Sequence, residues 1–221
     1  KKAEHVHIVS HIDADGITSG AVAYKTLKRM SKNFSIEFVK QLDDKIIERL
    51  KNENHELVWF TDLGSSISNN SPDLNKVITD HHICPKNSDF SYHLNPHLFN
   101  FDGGVELSGA GATYFVAKNL DKKNMDLASL AIAGACGDLQ DRKHGKLYGL
   151  NRQILKDGEK NGCLKPVIDL RFFGRETRPI YKLLMYANDP LIPGLTGRED
   201  ACISFLNDLN IVTKDGDNWR R

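Results

Sequence analysis

No run of apolar residues in this 221-residue sequence is long enough to span a bilayer, and no secretory leader is visible at its start. Cysteine is sparse. Cys84, Cys136, Cys163 and Cys202 contain no C-x-x-C pair, so their spacing supports neither a thiolate zinc site nor a disulfide framework. A reducing cytoplasm is the simplest compartment for such a chain. Neither sign of charge dominates. Lys+Arg total 30 and Asp+Glu 29, for a formal net charge of +1, so composition neither demands a nucleic-acid partner nor excludes one. Internal repeats and low-complexity segments are missing as well. What is present is 40% hydrophobic and 27% charged, which suffices for a buried core and a solvated surface. The length fits one domain, or a domain with an extension. A chain that starts at Lys1 without a methionine and ends in a polar stretch at Arg221 reads as a fragment of a longer protein.

Residues 5–12 alternate and are rich in β-branched side chains, which predicts a strand. Asp13-Ala-Asp15-Gly16 follows as a turn, and helical spacing runs from about Ile17 to Arg29. A second strand is predicted over 34–42, and a helix capped by Asp43-Asp44 reaches about Asn52. Leu57 to Phe60 and Lys76 to Thr79 read as short buried strands, and 90–94 as a further one. Ser108-Gly-Ala-Gly111-Ala opens a helix to about Leu120, its small residues serving close packing or the close approach of a phosphate. Ala128 to Cys136 is an apolar helix, and the part beyond is mainly helical. Strand–helix alternation implies an α/β fold: a parallel sheet covered by helices over 1–145, with 146–221 a helical extension of the same domain.

The chemistry gathers where these elements end. Lys76-Val-Ile-Thr-Asp80-His81-His82 carries an acid and two imidazoles out of a strand, where open α/β sheets bind ligands. Alone, Asp-His-His is as readily a surface turn with incidental histidines. Asp13, Asp15, Asp62 and Asp138 stand at other element ends, with His11 beside the first. Asp15 has two readings, as a ligand or as the cap of its own helix. Alternating spacing is expected to turn Asp13 and Asp15 into one crevice. Many carboxylates with some imidazole suit Mn2+ or Mg2+ better than structural zinc, and without a cation they would repel one another. Two ions about 3.5–4 Å apart, sharing a carboxylate, would neutralise them and serve attack on phosphorus.

Asp13-Ala-Asp15-Gly16, Thr61-Asp62-Leu63-Gly64, Asp80-His81-His82 and Gly137-Asp138 resemble, in order, the four motifs of the DHH phosphoesterase superfamily. Thr177-Arg-Pro-Ile-Tyr through Asp189-Pro-Leu-Ile-Pro-Gly-Leu-Thr-Gly resembles archaeal RecJ-like nucleases, a group that includes the GINS-associated nuclease. The resemblance implies a DHH domain holding two Mn2+ or Mg2+ ions. Asp13 and Asp15 would take one ion each, Asp62 would bridge them, and His81 and Asp138 would complete one coordination sphere. His82 would face the phosphate, and Asp80 would orient the histidines. His11 joins the metal set with less support: pyrophosphatases of the superfamily place a histidine where Val9 stands, and bacterial RecJ proteins an aspartate at the position of His11. The family's further substrate-binding domain, with its glycine-rich motif, has no equivalent here.

The implied activity is a single-strand-specific DNA or RNA exonuclease of replication or repair, with single-stranded nucleic acid and the GINS complex as partners. Two other readings stand beside it: a phosphohydrolase of oligonucleotides, cyclic dinucleotides or pyrophosphate, and a non-catalytic replication scaffold. Arg142 and His144 are expected at the substrate, and Arg171, Arg175 and Arg178 are further phosphate contacts, although most arginines on a domain surface are simply solvated. Trp59 is expected in the core, and Trp219 either exposed or packed on a missing domain. His5, His7, His55, His93 and His97 have no motif context.

Overall fold

The structure is a computed structural model, and it describes residues 2–67, 74–85, 92–143, 145–168, 172, 174, 177–211 and 213. These fall into two compact units, Lys1–Pro166 and Val167–Arg221. The first unit is built on five parallel strands: β1 (His5–His11), β2 (Asn33–Val39), β3 (Val58–Thr61), β4 (Lys76–Thr79) and β5 (His93–Leu94). Their spatial order is β2-β1-β3-β4-β5. The chain therefore winds outward from β1 to β2, then crosses back to β3 on the other side. That reversal opens a crevice at the carboxyl ends of β1 and β3, the place where doubly wound sheets bind ligands.

A parallel sheet is covered on both faces, so its strands carry apolar residues in unbroken runs. In β1, Val9 packs with Val58 and Phe60 of β3 against Ile47 and Leu50 of α2 (Asp44–Asn52). Its neighbour Ile8 points the other way, with Trp59, onto Ala23 and Leu27 of α1 (Ala14–Arg29). Trp59 is buried as expected, its indole N–H donating to Thr79 Oγ1 at 3.1 Å. Beyond α1 lie α3 (Gly109–Leu120), α4 (Ala128–Gly137) and α5 (Gly149–Asn161), packed through Tyr114, Ala131 and Ile154. The alanine- and glycine-rich faces of α3 and α4 let these helices approach one another closely.

Three predicted boundaries move. The helix after β1 begins at Ala14, so Asp15 and Gly16 are helical and not part of a turn. The N-cap is Asp13, whose Oδ1 accepts from Gly16 N at 2.9 Å. β2 stops at Val39, short of Leu42, whereas Asp43 caps α2 as read, accepting from Ile46 N at 2.9 Å. The described part of the last strand is only His93–Leu94; Phe90 and Ser91 lie outside the described residues.

The second unit contains α6 (Ile180–Met185) and α7 (Glu199–Asp208) around Leu184, Cys202 and Leu206. The Cys202 thiol donates to Leu195 O at 3.2 Å.

Candidate metal centre

The elements ending at the β1/β3 crevice deliver polar groups. His11 is the last residue of β1, Asp62 follows β3, and Asp80-His81-His82 follows β4. Buried hydroxyls lock the first two ends together, Thr61 Oγ1 donating to Ser10 Oγ at 2.7 Å and Ser10 Oγ to Gly16 O at 2.6 Å. Asp138 arrives from the carboxyl end of α4.

Asp62 occupies the centre. It is 1% exposed, in the left-handed backbone region at φ 59°, with its amide donating to Thr79 O at 2.8 Å. Aspartate is among the non-glycine residues that adopt this region most readily. Its carboxylate presses against the start of α3, where only glycine fits: a Cβ on Gly109 would lie 2.3 Å from Asp62 Oδ1. Among the described residues neither Asp62 oxygen has a hydrogen-bond partner. His81 Nε2 stands 3.3 Å from Oδ1 and His11 Nδ1 3.5 Å from Oδ2. Burial, opposed by His81 and reinforced by the Asp15 charge, pushes the Asp62 carboxyl up to about 9.

Both histidines facing Asp62 are anchored from behind. His11 Nε2 lies 3.2 Å from Lys40 O, so that nitrogen carries the proton and Nδ1 faces the carboxylates. His11 Nδ1 is 2.9 Å from Asp13 Oδ2, out of good hydrogen-bond geometry. His81 Nδ1–H donates to Gly103 O at 2.7 Å, turning Nε2 toward Asp62, Asp138 (3.2 Å) and Asp15 (3.8 Å). Burial alone would lower the His81 pKa, but Asp62 and Asp15 carry it up to about 10. Burial, with the Asp15 charge behind it, raises Asp138 to about 6. The crowded acids are thus relieved by retained protons, and a divalent cation would relieve them in another way.

Asp13 and Asp15 do not share the alternating geometry expected of them. Asp13, the cap of α1, is half exposed on the His11 side, while Asp15 sits fully buried inside the first turn of the helix. Nor does Asp15 cap its own helix. Its two oxygens accept from Gly109 N at 2.6 Å and Ala110 N at 3.0 Å, capping α3, a helix 94 residues away in sequence.

Asp80 is the organiser of the Asp-His-His turn. Its oxygens accept from the amides of Ser65 (2.9 Å) and His81 (2.7 Å) and from His82 Nδ1 (2.8 Å). Burial alone would raise it, but these partners, His82 foremost, hold it well below the usual carboxylate range. In return Asp80 raises His82, whose half-exposed ring presents its other nitrogen to the crevice.

Three triplets have ligand atoms within 4.8 Å of one another: His11–Asp13–Asp62, Asp62–His81–His82 and Asp15–His81–Asp138. Asp62 and His81 each belong to two of them. This donor set, with two unpartnered buried oxygens at its centre, fits hard divalent cations. A fourth triplet, His7–Glu53–His55, lies at the opposite end of β1. There the His7 and His55 rings stack at 4.2 Å, and Arg49 already binds Glu37 and Glu53.

Other expected contacts fare unevenly. Arg142 is exposed in the turn after Asp138. His144, Arg171, Arg175 and Trp219 lie outside the described residues. Arg178 lies over the Tyr186 ring at 5.1 Å within the second unit. The sequence gives Ser65, Gly103 and Gln140 no role at the site, and reads Asp102-Gly103-Gly104 as flexible, yet their backbone or side chains contact Asp80, His81 or the carbonyl that anchors His81. For Ser65 and Gln140 the available signal was nearness to motif residues; Gly103 had none.

The family model for the DHH family, N-terminal domain, matches residues 5–135, and that for the DHH-CID domain matches residues 172–221. The chain belongs to the DHH family. An uncharacterized protein of Methanocaldococcus jannaschii is 33% identical over 219 residues, covering 94% of this chain and 48% of that protein. The chain thus spans about half the length of the curated relative it matches. Among solved structures, CDC45 from Entamoeba histolytica aligns with TM-score 0.62 at 14% identity, over 99% of this chain and 50% of that one. Exonuclease RecJ bound to manganese aligns with TM-score 0.56 at 19% identity, over 90% and 50%. RecJ from Thermus thermophilus in complex with Mn2+ gives 0.56 at 20%, over 90% and 28%. These likenesses define a shared α/β fold. No described helix is long and apolar enough to cross a membrane.

Proposed function

We propose that this chain carries the catalytic centre of a metal-dependent phosphodiester hydrolase, a RecJ-type exonuclease on single-stranded DNA or RNA in replication or repair. The observation that supports this most is Asp62, whose two buried oxygens face His11 and His81 without a well-formed hydrogen bond, between one triplet reached from His11 and Asp13 and another reached from His81. Two Mn2+ or Mg2+ ions would be held by His11, Asp13, Asp15, Asp62, His81 and Asp138, with Asp62 shared. Bound there, the ions supply Lewis acidity and a nucleophile at neutral pH.

The chain's own side chains do the rest. Asp80 fixes His82 through Nδ1 and raises its affinity for a proton, so that the ring would face an approaching phosphate. Exposed Arg142 adds positive charge beside Asp138, and His144 is proposed to join it. A small-substrate phosphohydrolase would use the same centre.

The likeness to CDC45 favours a second reading, a replication scaffold that docks on GINS. Retention of the whole carboxylate–imidazole set weighs for catalysis, and docking and catalysis are separable. Full-length protein incubated with end-labelled single-stranded DNA and RNA, with and without Mn2+, decides. A metal-dependent ladder of shortened products supports the exonuclease, and its direction gives the polarity. Intact strands together with a complex in a titration with purified GINS would support the scaffold.

A further inference from the structure

His81 is aimed by a carbonyl that is itself held in place. Gly103 O accepts two hydrogen bonds, from His81 Nδ1 at 2.7 Å and from Gln140 Nε2 at 2.9 Å. Gln140 is 2% exposed, and its amide can sit only one way round. Its Oε1 accepts from Asn151 Nδ2 at 2.6 Å, and the reversed amide would bring oxygen against oxygen at Gly103 and nitrogen against nitrogen at Asn151. Asn151, fully buried on α5, is held through its donors: its Nδ2 also reaches Val105 O at 3.4 Å and its own amide donates to Glu106 O at 2.8 Å, while its Oδ1 has no hydrogen-bond partner among the described residues.

The 102–106 turn is pressed onto His81 so tightly that a Cβ on Gly103 would lie 2.0 Å from His81 O and 2.7 Å from His97 Nε2. Gln140 also follows Asp138 by two residues, its amide bonded to Ala135 O at 3.0 Å on α4. A buried chain of amides therefore runs from α5 through Gln140 to the carbonyl behind a metal-facing imidazole, and it shares a backbone segment with Asp138.

We propose that Gln140 is a positioning residue for the metal centre: with Asn151 it holds the Gly103 carbonyl on His81 Nδ1, and so keeps His81 Nε2 directed into the space between Asp62 and Asp138. The inference rests on the metal-binding function proposed for this centre. Two amides in a dry interior make stiff partners, because each unmade bond would leave a buried polar group unsatisfied. Loss of the Gln140 donor leaves Gly103 O with one partner and frees the turn. The imidazole then loses its fixed heading, and partners that orient a ligating histidine are worth roughly 10–100-fold in metal affinity.

The test is Mn2+ affinity by titration calorimetry on the full-length protein, beside thermal melting of the metal-free form. Gln140→Met keeps the volume and removes both hydrogen bonds; its Mn2+ Kd should rise by about 10–100-fold. Asn151→Asp should act alike, since an acceptor there turns the Gln140 amide round, and it serves if the first variant does not fold. Leu127→Ala, a buried residue without a polar side chain, supplies a destabilised control and should keep wild-type affinity. Activity of Gln140→Met should recover when Mn2+ is raised to saturate the variant. Wild-type affinity in the folded glutamine and asparagine variants would overturn the proposal, as would a loss of affinity in the control equal to theirs. Failure of the wild-type protein to bind Mn2+ would instead defeat the metal-binding function itself.

Discussion

Two aspartates of the metal centre have different duties. Asp62 sits past the end of a strand with no hydrogen bond to lose, whereas Asp15 satisfies two buried amides at the head of α3. Removing a buried acceptor costs about 1–3 kcal/mol for each donor stranded. Asp15→Ala should therefore destabilise the metal-free protein by roughly 2–6 kcal/mol, while Asp62→Ala leaves its melting temperature unchanged or higher, because the carboxyl removed is buried without a hydrogen bond. Both variants should lose metal-dependent hydrolysis. Equal melting temperatures for the two variants would contradict this division. His82→Ala separates differently again: Mn2+ binding persists while kcat falls by roughly 10²-fold, as expected for one lost electrostatic contact to the reacting phosphate. These residues stand out in the sequence as candidates, because four short motifs in a fixed order, each at an element end, rarely coincide by chance. The partner of Asp15 was not, since a contact across 94 residues leaves no local pattern. Gln140 escaped for the same reason: an amide two residues after Asp138 looks like any loop residue until Asn151 and Gly103 converge on it.

At the scale of elements, β-branched alternation marked β1, short buried runs marked β3 and β4, and capping aspartate marked α2. The start of α1 was misplaced because aspartate and glycine signal turns as well as helix ends, and here Asp13 uses its side chain as a cap while Gly16 is already helical. The ends of β2 and α2 are joined by charges that sequence alone does not pair. Arg49 donates to both Glu37 oxygens, at 2.7 and 2.8 Å, and His7 Nε2 lies 3.1 Å from Glu37 Oε1. Burial alone would raise the Glu37 carboxyl, but Arg49 and His7 outweigh it and leave it lowered. A carboxylate lowered in the folded state stabilises fully above its unfolded pKa, and the contribution fades as pH falls through the lowered value. Glu37→Gln should thus lower the melting temperature at neutral pH by an amount equivalent to about 1 kcal/mol or less, given the exposure of the pair. The difference from wild type should shrink as pH falls through the ordinary carboxylate range and below it. A difference that stays constant from neutral to acid would remove the ion pair from the account.

On the scale of the molecule, topology is what makes a site of scattered motifs. The order β2-β1-β3-β4-β5 puts the reversal of winding between β1 and β3, and the carboxyl ends of those two strands supply His11 and Asp62. Strand–helix alternation disclosed the fold class, but strand order depends on which crossovers pack, and no residue encodes it singly. The order places Asp62 between donors from β1, β4 and α4, where two cations could share it. Titration calorimetry of the metal-free protein with Mn2+, run in parallel on wild type and Asp62→Ala, tests that arrangement most directly. The account predicts two ions per chain for the wild type, and for the variant the loss of at least one together with weakened binding of any that remains. Two ions bound by Asp62→Ala with wild-type affinity would contradict it.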